Sequence, residues 1–464
     1  MRLLPALLLL PLLSSAEEWS RFRGPNGSGI TSDKGFPTEF GPNKNLVWRT
    51  PVRPGKSSPV LTRKHVFLTG FEDGKLFTQC FDRASGKLLW ERSEPRVRQD
   101  GVHLLNHAAG STPVTDGSNV YVFFKDFGLL SYSAEGNLRW RVPIGPFNNT
   151  MGLGASPILA GEFLILQIDQ LDHSYIAAYS TSNGELRWKI DREESESWGT
   201  PLLHQASGQV ITVGAGQLGG HAISDGKRKF DYTGASPAMV ASPILDGDTV
   251  YAFGYGYSAA APIPFSVPLQ RFDKNKDGKL TPDEYGTESV YNAIGRYIGN
   301  RDGTVTEEKW KVWGKHVGGT TRLFAVQLDR AGNAIQPREL WTYNRGFESV
   351  IPSPLLYDGL IYVVKNGGIL MTFDAKTGEP AKTGRVTGAL GGYSASPVLA
   401  DGKLFVASEE GKVSVLRPGR EWEVIQTNDL GESIFATPAL SAGRIYIRAG
   451  DYLYCFGTDA KPAI

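Results

Sequence analysis

Between residues 273 and 284 the chain reads Asp273-Lys-Asn275-Lys-Asp277-Gly278-Lys279-Leu280-Thr281-Pro-Asp283-Glu284. Side-chain oxygens fall at the first, third and fifth places, from Asp273, Asn275 and Asp277. A glycine suited to a sharp turn holds the sixth place, and Glu284 at the twelfth can give two oxygens. Lys279 supplies a backbone carbonyl at the seventh place, and Thr281 a hydroxyl at the ninth, directly or through water. This is the pattern of an EF-hand loop, whose all-oxygen donor set suits the hard cation Ca2+. So many constrained places met at once set the run apart from an ordinary acidic surface. Leu280, at the eighth place, is positioned to anchor a short strand.

A second stretch, from Ile298 through Asn300, Asp302, Gly303 and Val305 to Lys309, has the same outline. It lacks the first acid, and a lysine stands where the bidentate carboxylate belongs, so most of the affinity should be gone. Glu308 leaves weak binding open. We expect Val305 to pair with Leu280, which makes the second loop a structural partner of the first. Pro268 shortens the incoming helix, so the pair should be compact, with a calcium affinity of ~0.1 to 1 mM, the extracellular class.

What holds this lobe is a repeat. Pro59, Pro113, Pro157, Pro201, Pro243, Pro354, Pro397 and Pro438 each follow Ser or Thr and precede small or branched apolar residues. Successive spacings are 54, 44, 44, 42, 111, 43 and 41. The run 155–188 shows the unit: two short apolar strands around Gly161, a third over Tyr175 to Tyr179, an Asn183-Gly184 turn, and a fourth strand carrying Trp188. Four strands at a period in the low forties are the signature of a propeller blade, and eight copies predict eight blades. The all-β fold class follows, with one small helical insertion. The irregular spacing of 111 places that insertion at residues 257–319, between the second and third strands of the fifth blade.

The far end of the unit repeats too, as Gly86-Lys-Leu-Leu-Trp90, Gly136-Asn-Leu-Arg-Trp140 and Gly184-Glu-Leu-Arg-Trp188, with looser forms at Trp341 and Trp422. Glycine allows the positive-φ turn between strands three and four, and the indole gives the outer strand something to bury against the next blade. Two units depart from this: Phe230 follows Gly226, and no aromatic residue soon follows Gly378. The runs Phe81-Asp-Arg-Ala-Ser-Gly-Lys-Leu-Leu-Trp90 and Phe373-Asp-Ala-Lys-Thr-Gly378 resemble the repeat of the pyrroloquinoline-quinone-like (PQQ-like) propeller family, over nearly all of the mature chain. The opening Trp19-Ser-Arg-Phe-Arg-Gly-Pro-Asn-Gly-Ser-Gly29 resembles the leader of secreted bacterial members, several of them non-enzymatic.

Residues 1–16 carry one Arg, an apolar run from Leu3 to Leu13 and Ser14-Ser15-Ala16, the pattern of a secretory signal cleaved after Ala16. The run is too short to span a bilayer, and no cysteine lies near it. An exported protein, periplasmic or extracellular and without an integral membrane segment after cleavage, is expected. The 55 Gly and 28 Pro fit many turns, while a net charge of +1 without basic blocks argues against nucleic acid and anionic membranes. Cys80 and Cys455 occupy the same place in neighbouring units, roughly a sheet spacing (~10 Å) apart, which is too far for a disulfide. Both read as small buried residues, with a disulfide as the alternative.

Residues 17–45 form a Gly/Pro-rich leader without strand pattern, whose Trp19 and Phe22 favour docking. Leu46 to Val52 looks like a fourth strand lacking its first three, and Ala436 to Gly457 like three strands lacking a fourth. The two ends should therefore share the last blade, closing the ring and hiding both open edges. The propeller thus spans 46–256 and 320–457, with 458–464 as a tail. Loops between blades and loops between strands two and three share one face. The linker Glu91 to Gly110, Phe147 to Gly154, and Asp169 to His173 should then surround one mouth. His103 and His107 lack any paired metal spacing and read as structural or solvated.

Two functions follow. The first is a monomeric, non-catalytic binding scaffold that engages a protein or glycan at the mouth, with calcium at the rim. The alternative, implied by the resemblance, is a quinoprotein dehydrogenase acting on alcohols or sugars. PQQ itself is not expected: the chain lacks the adjacent paired cysteines of those enzymes, and no Glu/Asn/Asp trio can be matched to the quinone's calcium site. No nucleophile elbow or triad spacing points to hydrolysis.

Overall fold

A hydroxyl followed by proline opens each inner strand, because proline needs no amide partner at the channel wall. The computed structural model describes residues 18–98, 106–149, 151–171, 173–256, 263–286, 295, 299, 302–332, 334–347 and 350–458. The signal-like run 1–16, His103, Asp172 and Ile298 lie outside them.

The described strands form eight four-stranded antiparallel sheets. In blade 3, Ile158–Ala160, Phe163–Ile168, Tyr175–Ser180 and Leu186–Asp191 pair in that order. Blade 8 is built from both ends of the chain: Leu46–Pro51 pairs with Tyr452–Phe456, followed by Arg444–Ala449 and Ala439–Ser441. The closure expected from the unmatched end strands is present.

Outer strands lock each blade to the next. Trp48, Trp90, Trp140, Trp188 and Trp341 lie over Gly86, Gly136, Gly184, Gly226 and Gly378 of the following blade. At Gly184, with φ 77°, an added Cβ would come 2.8 Å from the Trp140 ring. Each of these indoles donates its N–H to a carbonyl in that turn, as Trp90 does to Ala134 at 2.8 Å and Trp188 to Ile223 at 3.0 Å.

The two irregular outer strands form as well, Arg228–Thr233 and Pro380–Arg385. In blade 4 Phe230 is buried where the indole would be. Between blades 6 and 7 the direction reverses. Trp422, read in the sequence as a forward-facing outer indole, packs back onto blade 6, where Lys382 lies over its ring at 4.6 Å. It also meets Gly384, whose added Cβ would stand 3.0 Å away. A second correction concerns the long linker: Leu88–Pro95 is the outer strand of blade 1, so the connection is shorter than Glu91 to Gly110. Cys80 and Cys455 are both buried and form no disulfide.

Candidate functional site

The insertion leaves blade 5 after Thr249–Gly254 and returns at Arg322–Ala331, the second and third strands. Its described helices are α1 (Ser266–Phe272), α2 (Pro282–Tyr285) and α3 (Glu307–Val317). Leu280 and Val305 exchange both backbone hydrogen bonds, at 3.0 and 2.8 Å, as the paired loops require. They are buried with Phe265, Phe272, Tyr285 and Trp310 in a small core that also takes in Leu171 from blade 3. The Tyr285 hydroxyl donates to Gly303 O at 2.9 Å and ties the two loops together.

Within 273–284 the backbone wraps around its own acids. Gly278 N–H donates to Asp273 Oδ2 at 3.0 Å, Asp277 N–H to Asn275 Oδ1 at 2.9 Å, and Lys279 N–H to Asp277 Oδ1 at 2.9 Å. Gly278 sits at φ 76°, the left-handed region the sixth place requires. Glu284 is engaged elsewhere: its Oε2 accepts from the Thr281 amide and hydroxyl, both at 2.9 Å, and its Oε1 from Lys274 N–H at 3.2 Å. Burial opposes its ionisation, but the Thr281 donors and the Asn275 and Lys274 amides prevail and hold this carboxyl below its usual range. Thr281 and Glu284 form a reciprocal capping box at the start of α2. Among the described residues no three His, Cys, Asp or Glu side chains are gathered to hold a metal. The oxygen donors fit calcium in kind, and Glu284 would have to leave the capping box to close the site. In the second loop Asp302 accepts from Thr304 N–H at 2.9 Å.

The mouth loops are tied to one another as their shared face predicts. Asn106 Nδ2 donates to Met151 O and Gly152 O, Asn149 Nδ2 to Asp169 O, Leu171 N–H to Asn148 O, and Trp198 Nε1 to Gly152 O, all between 2.8 and 3.0 Å. His107 accepts the Ala109 N–H at 3.2 Å, and burial, with the charges of Arg448, Lys56 and Arg96, pushes its pKa down to about 4. Of the two roles the sequence left open, structural or solvated, the structure gives it the structural one.

Below these loops the eight Ser/Thr-Pro hydroxyls close a ring. Ser58 N–H donates to Thr112, Thr112 to Ser156, Ser156 to Thr200 and Thr200 to Ser242. Ser242 donates to Ser353, Ser353 to Ser396, Ser396 to Thr437, and Thr437 back to Ser58. Every link is between 2.9 and 3.1 Å. Each hydroxyl accepts from the neighbouring blade and keeps its own proton to donate. The ring encircles a funnel of about 330 Å³, walled by Trp198, Met151, Tyr255 and Phe435, with Phe22 of the leader also in its lining. Lys56 lies over Phe435 at 4.2 Å and is the only charged residue among the described residues of this lining.

A second cavity, of about 1070 Å³, separates the insertion from blade 3. Its inner wall carries a charge network that the sequence reading did not single out. Arg192 donates to Asp169 through Nε and Nη2 at 2.8 and 3.2 Å and to Thr212 at 2.7 Å, while Arg228 donates to Glu194 at 2.6 Å. Gln167 and Ser197 also donate to Asp169. Burial opposes ionisation of Glu194, and Arg192 and Arg228 outweigh it. Blade contacts bring these residues together across some sixty positions of sequence, and no local motif marks them.

Fold and mouth define an eight-bladed propeller of PQQ-like repeats, the class the repeat sequence resembled. Within that class the chain belongs to the family described as outer membrane protein assembly factor BamB, whose model matches residues 41–168 and 300–461. It is 21% identical over 356 residues to the outer membrane protein assembly factor BamB of Shewanella oneidensis, covering 73% of this chain and 79% of that protein. The crystal structure of BamB from Moraxella catarrhalis superposes with a TM-score of 0.57 at 12% identity, over 90% of this chain and 99% of the other. Quinohemoprotein alcohol dehydrogenase from Comamonas testosteroni superposes with a TM-score of 0.61 at 10% identity, over 97% and 81%. At these identities the two structures share the fold. The chain is a BamB-like propeller scaffold.

Proposed function

We propose that this protein is an exported, non-catalytic scaffold that engages a protein partner at the propeller mouth, with the insertion as a calcium-organised wall of that mouth. The observation that carries the reading is the rim: loops from several blades, cross-linked by side-chain amides, frame a funnel of hydroxyls and aromatic rings. Such a surface suits binding, where rigidity limits the ordering cost and aromatic anchors supply contact. Membership of a family described as an assembly factor supports a protein partner over a glycan, and an envelope location. Asp273, Asn275, Asp277, Thr281 and Glu284, with the Lys279 carbonyl, would hold the calcium. The funnel lining suits the quinone poorly, since among its described residues no carboxylate stands to ligate the calcium that accompanies PQQ.

A photo-crosslinking residue at Met151 or Phe435, expressed in cells with calcium present, should trap one discrete envelope protein, and the same residue at outer-strand Lys189 should not. Equal trapping from all three positions, or none from the mouth, would count against the reading. Purified protein mixed with PQQ should give no dye-linked oxidation of alcohols or sugars; measurable turnover would establish the dehydrogenase instead.

A further inference from the structure

The leader crosses the channel from blade to blade. Trp19 O accepts from Leu61 N–H and Ser20 O from Thr115 N–H, in blades 1 and 2. Arg21 Nη2 then donates to Pro201 O of blade 4 at 2.7 Å, and Arg23 Nη2 to Pro354 O of blade 6 at 2.6 Å. The chain leaves along blade 7, where Ile30 bridges Leu399. Arg21 is 7% exposed and Arg23 is 0% exposed. Among the described residues neither guanidinium pairs with a carboxylate. The leader's flanking acids are engaged elsewhere: Glu18 lies against Gly117, and Asp33 accepts from Ala442 N–H. Arg21 Nε, Arg23 Nε and Arg23 Nη1 have no hydrogen-bond partner, nor has Nε1 of Trp19, whose ring lies against Gly24. Gly29, at φ 77°, keeps the space beside Arg23 clear, since a Cβ there would stand 3.1 Å from Nη2.

Water can satisfy such N–H groups but cannot neutralise two like charges in a low-dielectric interior. Burial lowers the Arg21 pKa to about 10, and burial together with the charge of Arg21 lowers that of Arg23 to about 9, so both stay cationic at neutral pH. The unpartnered set contains donors only, which favours a ligand that only accepts and disfavours phosphate, whose own protons need acceptors. Full burial excludes a macromolecular ligand.

We propose that a halide, chloride in ordinary salt, is bound in the channel at the open Nε and Nη1 of Arg23, where the charge of Arg21 adds to its attraction, and locks the leader across the channel. The leader then acts as an ion-held stopper opposite the mouth, independently of what the mouth binds.

Two measurements on the mature protein test this. A bromide-soaked crystal should show an anomalous peak within hydrogen-bond reach of Arg23; peaks at surface positions alone, an adventitious ion only, would overturn the site. In buffers of matched ionic strength with gluconate replacing chloride, Tm should rise by roughly 1 to 2 °C for each tenfold increase in chloride above its dissociation constant. Arg23→Met should lose that dependence, and a wild-type Tm indifferent to chloride would equally overturn the proposal. If the variant does not fold, the bromide peak in the wild-type protein decides alone.

Discussion

Glu284 shows how one side chain can belong to two arrangements. In the loop pattern it closes a calcium shell, while in the folded chain its oxygens cap α2 through Thr281 and reach the Lys274 amide. Capping at an N-terminus is worth about 1 kcal/mol, small enough for a divalent cation to draw the carboxylate away. Calorimetric titration of the purified protein should therefore give one calcium site of ~0.1 to 1 mM affinity. The double variant Asp273→Ala, Glu284→Ala should show no heat, and unchanged binding would refute the assignment. The six residues of this candidate site were legible in the sequence because they are nearly contiguous. The Asp169, Arg192, Glu194 and Arg228 network was not, because its members lie on different elements and meet only when blades 3 and 4 pack.

At the scale of the element, the Ser/Thr-Pro dipeptide that marks the repeat is also its fastener. Proline removes a donor from the inner strand, and the preceding hydroxyl accepts the amide of the adjacent blade, so each blade presents one acceptor and one donor to its neighbours. Ser156→Ala would leave the buried Thr112 N–H without an acceptor, at a cost of about 1 to 3 kcal/mol. Its urea midpoint should fall, whereas Ser182→Ala, in the turn between the third and fourth strands of blade 3, should stay within about 0.5 kcal/mol. Equal midpoints for the two variants would show that the ring adds nothing to stability. The indole that turns back at Trp422 belongs to the same scale. Blade 6 carries no aromatic residue on Pro380–Arg385, and a neighbouring ring fills the gap, which spacing alone could not reveal.

The whole molecule is stable as a ring or not at all, since a four-stranded sheet alone leaves two apolar faces and two edges open. Deleting Leu46–Pro51 should expose the edge of Tyr452–Phe456 and yield a chain that associates on size exclusion and loses its single cooperative unfolding transition. A monomeric deletion variant melting at the wild-type temperature would contradict the closure. By itself the sequence determined the blade number, the shared last blade, the Leu280–Val305 pairing of the two insertion loops and the face on which the mouth loops gather. All of these depend on periodicity or on strand direction, which are properties of order along the chain. Only the tertiary structure decided that the eight hydroxyls bond in a circle, that Glu284 is held in a cap, and that two arginines with no carboxylate partner among the described residues lie buried across the channel. Those facts depend on which groups from distant blades reach hydrogen-bond distance once water is excluded, and packing around the full circle sets that.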